Sequence, residues 1–210
     1  MTMTDSVAIH IVDDDPDMRE ALEWLFDSRG HQVQSWSNGQ AFLDALPHAA
    51  VHAWEAAVVV LDIRMEPLSG LTVFEILKDK RVWWPVLFLT GHGDVSMAVS
   101  AVKNGAWDFL EKPFQNNVLV DRVESALSSA LQVKIEQQQH QRLRLAFEQL
   151  SAREKEVLHE LLQGHYNKNI ADHLGITPRT VEFHRANIFE KMGVTSAVEL
   201  AHQLGRAGLV

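Results

Sequence analysis

The sequence predicts a doubly wound α/β domain with a five-stranded parallel sheet, followed by a long helical linker and an all-α domain of four helices. Between residues 5 and 125, short apolar segments alternate five times with segments of helical periodicity. Strands that alternate with helices in this way form a parallel sheet covered on both faces. From residue 118 onward the pattern is helical, and Gly and Pro are absent from Gln115 to Gln163.

The predicted strands are short, and the third, AVVVL, suits a strand buried on both faces. The helices begin at residues suited to that position: Asp15 followed by Pro16, then Asn38, Ser69 and Asp94. The predicted strands span residues 7–12, 31–36, 57–61, 85–89 and 106–110, and residues 47–56 are predicted to form a loop.

Polar residues follow four of these strands. Asp13 and Asp14 follow the first, Asp62 the third, Thr90 the fourth and Lys112 the fifth. Because right-handed crossovers place the carboxyl ends of parallel strands on one rim, these side chains are expected to lie together. Three carboxylates without His or Cys nearby favour a hard cation, Mg²⁺ or Mn²⁺. Such an ion allows an anionic phosphoryl group to approach a carboxylate, which is a known phosphoryl acceptor.

Charge is distributed unevenly along the chain. Residues 1–125 contain nine Lys and Arg against nineteen Asp and Glu, whereas residues 151–210 contain seven of each. The acidic part is therefore a poor nucleic-acid binder, and the neutral part binds DNA only if its positive residues share one face. The absence of Cys excludes a disulfide framework. Without a long apolar segment, a cytoplasmic protein with no membrane partner is expected.

Residues 126–149 are predicted to form the helical linker. Apolar residues keep a spacing near 3.5 up to Leu131, residues 136–142 are wholly polar, and the apolar pattern resumes at Leu143. Two interpretations stay open: a flexible polar linker, and a helix that pairs with its twin in a homodimer.

Residues 150–210 carry the signals of four short helices. Ser151 with Glu154 forms a capping box, Asn167 is predicted to cap the second helix, and Thr177 followed by Pro178 begins the third. Two helices joined by a turn at residues 175–177 indicate a helix-turn-helix. On the third helix, Phe183 faces outward, where an aromatic ring suits contact with a thymine methyl group.

Four motifs of the first domain resemble those of response-regulator receiver domains, which have a flavodoxin-like fold. They are VDDD at 12–15, LDIRM at 61–65, LTGHGD at 89–94 and DFLEKPF at 108–114. The resemblance implies that Asp62 accepts a phosphoryl group from a sensor histidine kinase. It also implies a Mg²⁺ site made by Asp13, Asp14, Asp62 and the backbone carbonyl of Arg64. The chain departs from the family pattern at Glu66, where such receivers usually have proline.

The same resemblance assigns roles to three further residues. Lys112 contacts the phosphoryl group, and Thr90 and Phe109 form a switch pair. The receiver is then expected to catalyse only its own phosphorylation and dephosphorylation, so the protein is not otherwise an enzyme.

The C-terminal part resembles the LuxR-type DNA-binding domain, and the whole chain resembles the NarL/FixJ family, closest to FixJ-like members. Positions 182, 183 and 186 are then implied to face base edges, with Glu182 and Ala186 flanking Phe183. The fourth helix resembles a dimerisation helix. The residues expected to contact DNA are Lys168, Arg179, Thr180, Glu182, Phe183, His184, Arg185, Ala186 and Asn187.

The function implied is a phosphorylation-controlled transcription regulator that binds promoter DNA as a dimer, with RNA polymerase as a further candidate partner. One alternative is a DNA-binding regulator independent of phosphorylation. Another is a Mg²⁺-dependent aspartyl phosphatase, but such enzymes typically need a second acid where this chain has Arg64. A ligand-sensing LuxR-type regulator is a third, and residues 1–125 give no sign of the apolar pocket that it requires.

Overall fold

A computed structural model describes residues 8–46, 56–91 and 94–209. The chain divides into two compact units, with the boundary between Ile135 and Glu136. Most of the predicted loop at 47–56 lies outside the described residues, as does the first residue of the first predicted strand. Among the helices of the described ranges, none is long and apolar enough to cross a membrane.

The first unit contains a five-stranded parallel sheet, as predicted. Its strands are paired in the order β2-β1-β3-β4-β5. The order therefore reverses beside β1, which places a crevice at the carboxyl ends of β1 and β3, where open α/β sheets bind ligands. The strands are β1 (Ala8–Val12), β2 (Gln32–Trp36), β3 (Ala57–Asp62), β4 (Val86–Thr90) and β5 (Asp108–Glu111).

Helices follow the strands in alternation. The side chains of Asp15, Asn38 and Ser69 accept hydrogen bonds from the first turns of the helices that they precede, which confirms these three predicted starts. The helices are α1 (Pro16–Asp27), α2 (Gly39–Ala45), α3 (Gly70–Asp79), α4 (Val95–Lys103) and α5 (Asn116–Glu148).

The sheet has an apolar core on each face. Along β3, Val58 and Val60 belong to the core beneath α1 and α5, whereas Val59 and Leu61 belong to the core beneath α2, α3 and α4. All six residues of β3 are buried, as expected of a central strand covered on both faces. Asp62 is therefore held at the end of a fully buried strand.

Helix α5 includes most of the predicted linker. Its residues Ala126, Leu127 and Ala130 are buried in the core beneath α1, so packing of the first unit continues past residue 125. Nearer its end, Leu143 and Phe147 pack against the core of the second unit. The predicted linker residues are thus helical as far as Glu148.

The second unit contains α6 (Ala152–Leu162), α7 (Asn167–Leu174), α8 (Pro178–Met192) and α9 (Ala197–Arg206). The predicted capping box is confirmed, since Ser151 and Glu154 exchange hydrogen bonds at the start of α6. Between α7 and α8, Gly175 adopts a left-handed conformation with φ of 62°, which makes the short turn of the helix-turn-helix.

One predicted cap is wrong. Asn167 is the first residue of α7, and Tyr166 occupies the cap position without a side-chain hydrogen bond. The amide oxygen of Asn167 instead accepts a hydrogen bond from Arg185 at 2.5 Å. A contact with α8 therefore replaces the local cap.

Candidate acidic site and nucleic-acid interface

Three carboxylates meet at the carboxyl ends of β1 and β3, as the sequence predicts. Each of Asp13, Asp14 and Asp62 offers an oxygen atom, and these atoms lie within 4.8 Å of one another. Asp13 and Asp62 are buried, and Asp14 is exposed. An all-oxygen cluster that is open on one side suits a hard divalent cation, which keeps some of its water ligands.

Lys112 joins this cluster from the end of β5. Its Nζ lies 2.8 Å from Asp13 Oδ2 and 2.8 Å from Asp62 Oδ1. The backbone N–H of Lys112 donates to the carbonyl of Thr90 at 2.7 Å, so sheet pairing positions the lysine. One ammonium group thus neutralises part of the charge of two buried carboxylates.

Burial and hydrogen bonding act in opposite directions on these groups. Burial raises the pKa of Asp62, although the hydrogen bond from Lys112 opposes the shift. For Lys112, burial favours the neutral amine, but the hydrogen bonds to Asp13 and Asp62 outweigh it and the pKa is raised. Lys112 therefore stays a cation at neutral pH.

Arg64 contributes to the site through both backbone and side chain. Its backbone N–H hydrogen-bonds to the Asp62 carboxylate. Its guanidinium binds Asp94 in a bidentate pair, with Nε–Oδ2 at 2.6 Å and Nη2–Oδ1 at 2.8 Å. This pair lowers the pKa of the buried Asp94 carboxyl. Sequence reasoning missed the pairing because the two residues are thirty positions apart.

Asp94 consequently does not cap α4 with its side chain. It stands at the N-cap position, but its carboxylate makes no cap hydrogen bond. The Arg64–Asp94 pair instead connects the loop after β3 to the start of α4.

The two residues of the predicted switch pair lie on adjacent strands. Thr90 is fully buried at the end of β4, and its hydroxyl donates to the carbonyl of Gly91 at 3.1 Å. Phe109 is half-buried on β5, opposite Phe88 in the register, and packs against the core beneath α4.

Gly70 is a structural determinant of the site that the sequence reading did not identify. A Cβ atom built on Gly70 would lie 2.1 Å from the backbone oxygen of Asp62. The backbone N–H of Gly70 donates to the carbonyl of Ile63 at 3.0 Å. Helix α3 can thus begin against the strand end only because residue 70 has no side chain.

In the second unit, helix α8 has one buried face and one exposed face. Val181, Ile188 and Met192 are buried. Arg179, Glu182, Phe183 and Ala186 are exposed, as is Lys168 on α7. Phe183 is 62% exposed, although it is a large aromatic residue. The three positions implied to face base edges, 182, 183 and 186, are thus exposed to solvent.

The remaining DNA-binding candidates are more enclosed. Arg185 is half-buried, because it bonds Asn167 and its guanidinium lies 5.6 Å from the centre of the Phe189 ring. Thr180 shares a hydrogen bond with Thr177 at 2.8 Å. His184 and Asn187 are half-buried, and the Nδ1 atom of His184 is enclosed without a hydrogen-bond partner.

Comparisons with known proteins support both halves of this description. The response regulator receiver domain matches residues 9–124, and the luxR family of bacterial regulatory proteins matches residues 148–204. The transcriptional regulatory protein FixJ of Bradyrhizobium diazoefficiens is 40% identical over 208 residues, which are 99% of each chain. The chain belongs to the FixJ-like response regulators.

Solved structures of FixJ-like and related regulators agree with this assignment. The response regulator StyR matches with a TM-score of 0.84 and 35% identity, over 96% of this chain and 99% of that one. Full-length FixJ from B. japonicum matches with a TM-score of 0.59 and 40% identity, over 99% and 100%. Like other FixJ-like regulators, the protein controls transcription through a phosphorylated receiver and a LuxR-type DNA-binding domain.

Membership of the FixJ-like family gives the acidic cluster its chemical context. Receiver domains generally bind Mg²⁺ at their acidic pocket, and the cluster of Asp13, Asp14 and Asp62 has the oxygen donors for that ion. A receiver domain also implies a histidine kinase partner, and a LuxR-type domain implies DNA. The receiver and DNA-binding domains make the chain a response regulator.

Proposed function

We propose that Asp62 is the residue that accepts the phosphoryl group. One carboxylate oxygen of Asp62 forms a bond to phosphorus while the bond from phosphorus to the donor's imidazole nitrogen breaks. The observation that carries the proposal is the position of Lys112, whose Nζ lies 2.8 Å from Asp62 Oδ1. A cation at this distance compensates the charge of roughly −2 that an aspartyl phosphate adds to the site.

We assign the metal site to Asp13, Asp14, Asp62 and the backbone carbonyl of Arg64. A bound Mg²⁺ or Mn²⁺ would screen the negative charge of the acceptor from that of the incoming phosphoryl group. Asp13 and Asp62 form the buried side of the site, and Asp14 forms its exposed side.

The switch is assigned to Thr90 and Phe109. On phosphorylation, the Thr90 hydroxyl gives up its hydrogen bond to the Gly91 carbonyl and donates to a phosphoryl oxygen instead. Phe109 then moves inward into the space that the Thr90 side chain has left. Phe109 is only half-buried in the structure, so it has room to become more enclosed. The exposed apolar residues near α4 and β5, including Val99 and Trp107, then form a surface through which two receivers pair.

The DNA-binding role is assigned to α8, with α7 behind it. Glu182, Phe183 and Ala186 face base edges, and Asn187 lies at their edge. Contacts with phosphates position the helix without reading sequence. The residues assigned to phosphate are Lys168, Arg179, Thr180, His184 and Arg185. Arg185 donates to Asn167 through Nη1 in the structure, and its guanidinium has other N–H groups with which to contact a phosphate.

The domain organisation proposed is a receiver at 5–125, a helical linker at 126–149 and a DNA-binding domain at 150–210. Residues 151–210 carry no net charge, so the electrostatic contribution to DNA binding by one copy is small. A homodimer engages two half-sites and gains affinity through effective concentration. RNA polymerase is the further proposed partner, and the cytoplasm the proposed location.

The phosphoacceptor is tested by incubating the protein with acetyl phosphate and Mg²⁺ and measuring its intact mass. The wild type should gain one phosphoryl group, and Asp62→Asn should gain none. Asp17→Asn is a matched control, because Asp17 lies on α1 outside the acidic cluster, and it should be labelled like the wild type. Labelling of Asp62→Asn equal to that of the wild type would refute the assignment.

The consequence for DNA is tested with beryllofluoride as a phosphoryl mimic. The wild type should double its mass in solution and bind promoter fragments more tightly, whereas Asp62→Asn should change in neither respect. If the mimic binds at Asp62 while mass and DNA affinity stay constant, the phosphorylation-independent alternative is correct.

A further inference from the structure

A second cluster of metal-ligating side chains lies in the DNA-binding unit, away from the acidic pocket. It consists of Glu160 on α6, His165 in the turn after α6, and His173 near the end of α7. The potential ligand atoms of these three residues lie within 4.8 Å of one another. None of the three belongs to the proposed DNA-facing row on α8.

The two imidazoles converge on a single carboxylate oxygen. Glu160 Oε2 lies 2.7 Å from His165 Nδ1 and 2.8 Å from His173 Nδ1. A carboxylate oxygen only accepts hydrogen bonds, so both Nδ1 atoms direct a hydrogen toward the same point. The rings stand edge to face with their centres 5.2 Å apart. Their nitrogen atoms therefore approach one position from different directions.

Local backbone structure holds this arrangement. Gly164 has a φ of 80° and ends α6. The backbone N–H of His165 then donates to the carbonyl of Glu160 at 3.3 Å, which returns the chain toward the helix that it has left. His173 is in the last turn of α7, directly before the turn of the helix-turn-helix. The three residues thus connect α6 to both ends of the segment that contains α7.

We propose that Glu160, His165 and His173 bind Zn²⁺. Two imidazole nitrogens and one carboxylate oxygen are a known zinc ligand set, with metal–ligand distances of about 2.0–2.2 Å. Tetrahedral zinc with these bond lengths separates its ligand atoms by roughly 3.3 Å, so the present spacing needs only a small adjustment. Each imidazole binds the ion through a deprotonated Nδ1 and carries its remaining proton on Nε2, and a water molecule completes the coordination.

Exposure of the cluster suits a site that exchanges its ion with solvent. The Glu160 side chain is 15% exposed, His165 is 32% exposed and His173 is 52% exposed. A bound ion would fasten α6 to α7, and α7 is in turn held to α8 by the Asn167–Arg185 hydrogen bond. Because zinc would bind the folded arrangement and not the unfolded chain, it would stabilise the DNA-binding unit.

The site is tested on the full-length, tag-free protein after chelator treatment. Excess Mg²⁺ is present throughout, so that hard-ion sites are filled, and Zn²⁺ binding is measured by competition with a chromogenic chelator. The wild type should bind one more zinc ion than His165→Gln or His173→Gln, or bind it at least roughly 10-fold more tightly, since even loss of an outer-shell partner costs that much. Co²⁺ should give the visible absorption bands of a tetrahedral site in the wild type and not in the two ligand variants.

The control is His159→Gln. His159 precedes Glu160 on α6, but its ring bonds Gln163 at 2.8 Å and is outside the cluster. Zinc should raise the unfolding temperature of the wild type and of His159→Gln, and should not raise that of the two ligand variants. Equal zinc stoichiometry and affinity in all four proteins would overturn the proposal and leave the cluster as a hydrogen-bonded triad.

Discussion

His10 shows how burial determines the state of one titratable residue. It lies within β1, 7% exposed, and its ring stacks on Trp84 with centres 5.1 Å apart. The indole N–H of Trp36 donates to His10 Nδ1 at 3.3 Å. Burial lowers the pKa of His10 to about 4. At neutral pH the imidazole is therefore uncharged and acts as a hydrogen-bond acceptor.

His10 makes the stability of the first unit depend on pH in a defined window. Between pH 4 and 6.5 the unfolded chain binds a proton at His10 that the folded chain does not, so stability falls as the pH is lowered through this range. The full effect of the shift is about 3 kcal/mol. Urea unfolding followed by circular dichroism at several pH values measures it.

His10→Leu provides the comparison for this prediction. Carboxylates also contribute to acid unfolding, so the informative quantity is the difference in slope between wild type and variant. The free energy of unfolding of His10→Leu should decrease less between pH 6.5 and 4. Parallel curves for the two proteins would show that His10 titrates with an ordinary pKa.

At the scale of elements, a single carboxylate joins two helices of the DNA-binding unit. Glu154 Oε2 accepts hydrogen bonds from the backbone of Ser151 and from Lys191 Nζ, both at 2.7 Å. The pairing with Lys191 lowers the pKa of Glu154. The start of α6 is thereby held to the last turn of α8, so the residue that closes a local cap also fixes the end of α8.

The start of α3 depends on the absence of a side chain at Gly70. Gly70→Ala should destabilise the first unit by about 1–3 kcal/mol, because the added methyl group meets the backbone of Asp62 and the chain must shift. Unfolding in urea, followed by circular dichroism, gives the change in midpoint.

Gly205→Ala is the matched control for this substitution. Gly205 lies inside α9, and no atom comes within 4 Å of a Cβ built there. Alanine favours the helix at such a position by about 0.5–1 kcal/mol, so this variant should be at least as stable as the wild type. If both variants lose stability equally, the close approach at Gly70 is not the cause.

Most elements could be predicted because their signals are local. Apolar alternation, a proline after Asp15 and the capping box at Ser151 each lie within a few residues. Strand ends were less accurate: β3 continues to Asp62, and β5 begins at Asp108 rather than at residue 106. Backbone pairing with the neighbouring strand decides where a strand ends, and no local pattern records it.

The same distinction between local patterns and long-range contacts applies to the residues of the candidate sites. Topology alone predicts that Asp13, Asp62 and Lys112 meet, because each lies at the carboxyl end of a strand of one parallel sheet. The Arg64–Asp94 pair could not be predicted, since it depends on how two loops approach each other. The same holds for the cluster around Glu160, whose members come from two helices and a turn.

At the scale of the whole molecule, negative charge is concentrated in the receiver, and the DNA-binding unit has little electrostatic attraction for DNA. Residues 1–125 carry a net charge of −10, from nine positive and nineteen negative residues. DNA binding should consequently depend on a few well-placed cations, each of which contributes about one unit to the salt dependence.

Arg179 is the cation that tests this expectation. It is exposed on the first turn of α8. Arg179→Ala should weaken binding to all DNA sequences alike and reduce the slope of log K against log salt by about 1, because one phosphate contact is lost. Fluorescence anisotropy with promoter and unrelated DNA at several salt concentrations measures both quantities.

Arg144→Ala controls for the loss of one positive charge. Arg144 is exposed on α5 and pairs with Glu148 at 3.2 Å, outside the helix-turn-helix. Its salt slope should equal that of the wild type. If Arg179→Ala also keeps the wild-type slope, or alters only one DNA sequence, Arg179 does not contact phosphate.

The contact between Gly70 and the Asp62 backbone also affects how a saturating mutational scan of this regulator would be interpreted. If each variant were scored by the expression of a reporter gene, substitutions at position 70 would be tolerated as poorly as those at position 62. Gly70 nevertheless has no functional group that could take part in phosphoryl transfer. A parallel measurement of the cellular abundance of each variant would distinguish the effects at the two positions. Substitutions at position 70 would lower the amount of folded protein, whereas Asp62→Asn would accumulate normally and fail to change reporter expression.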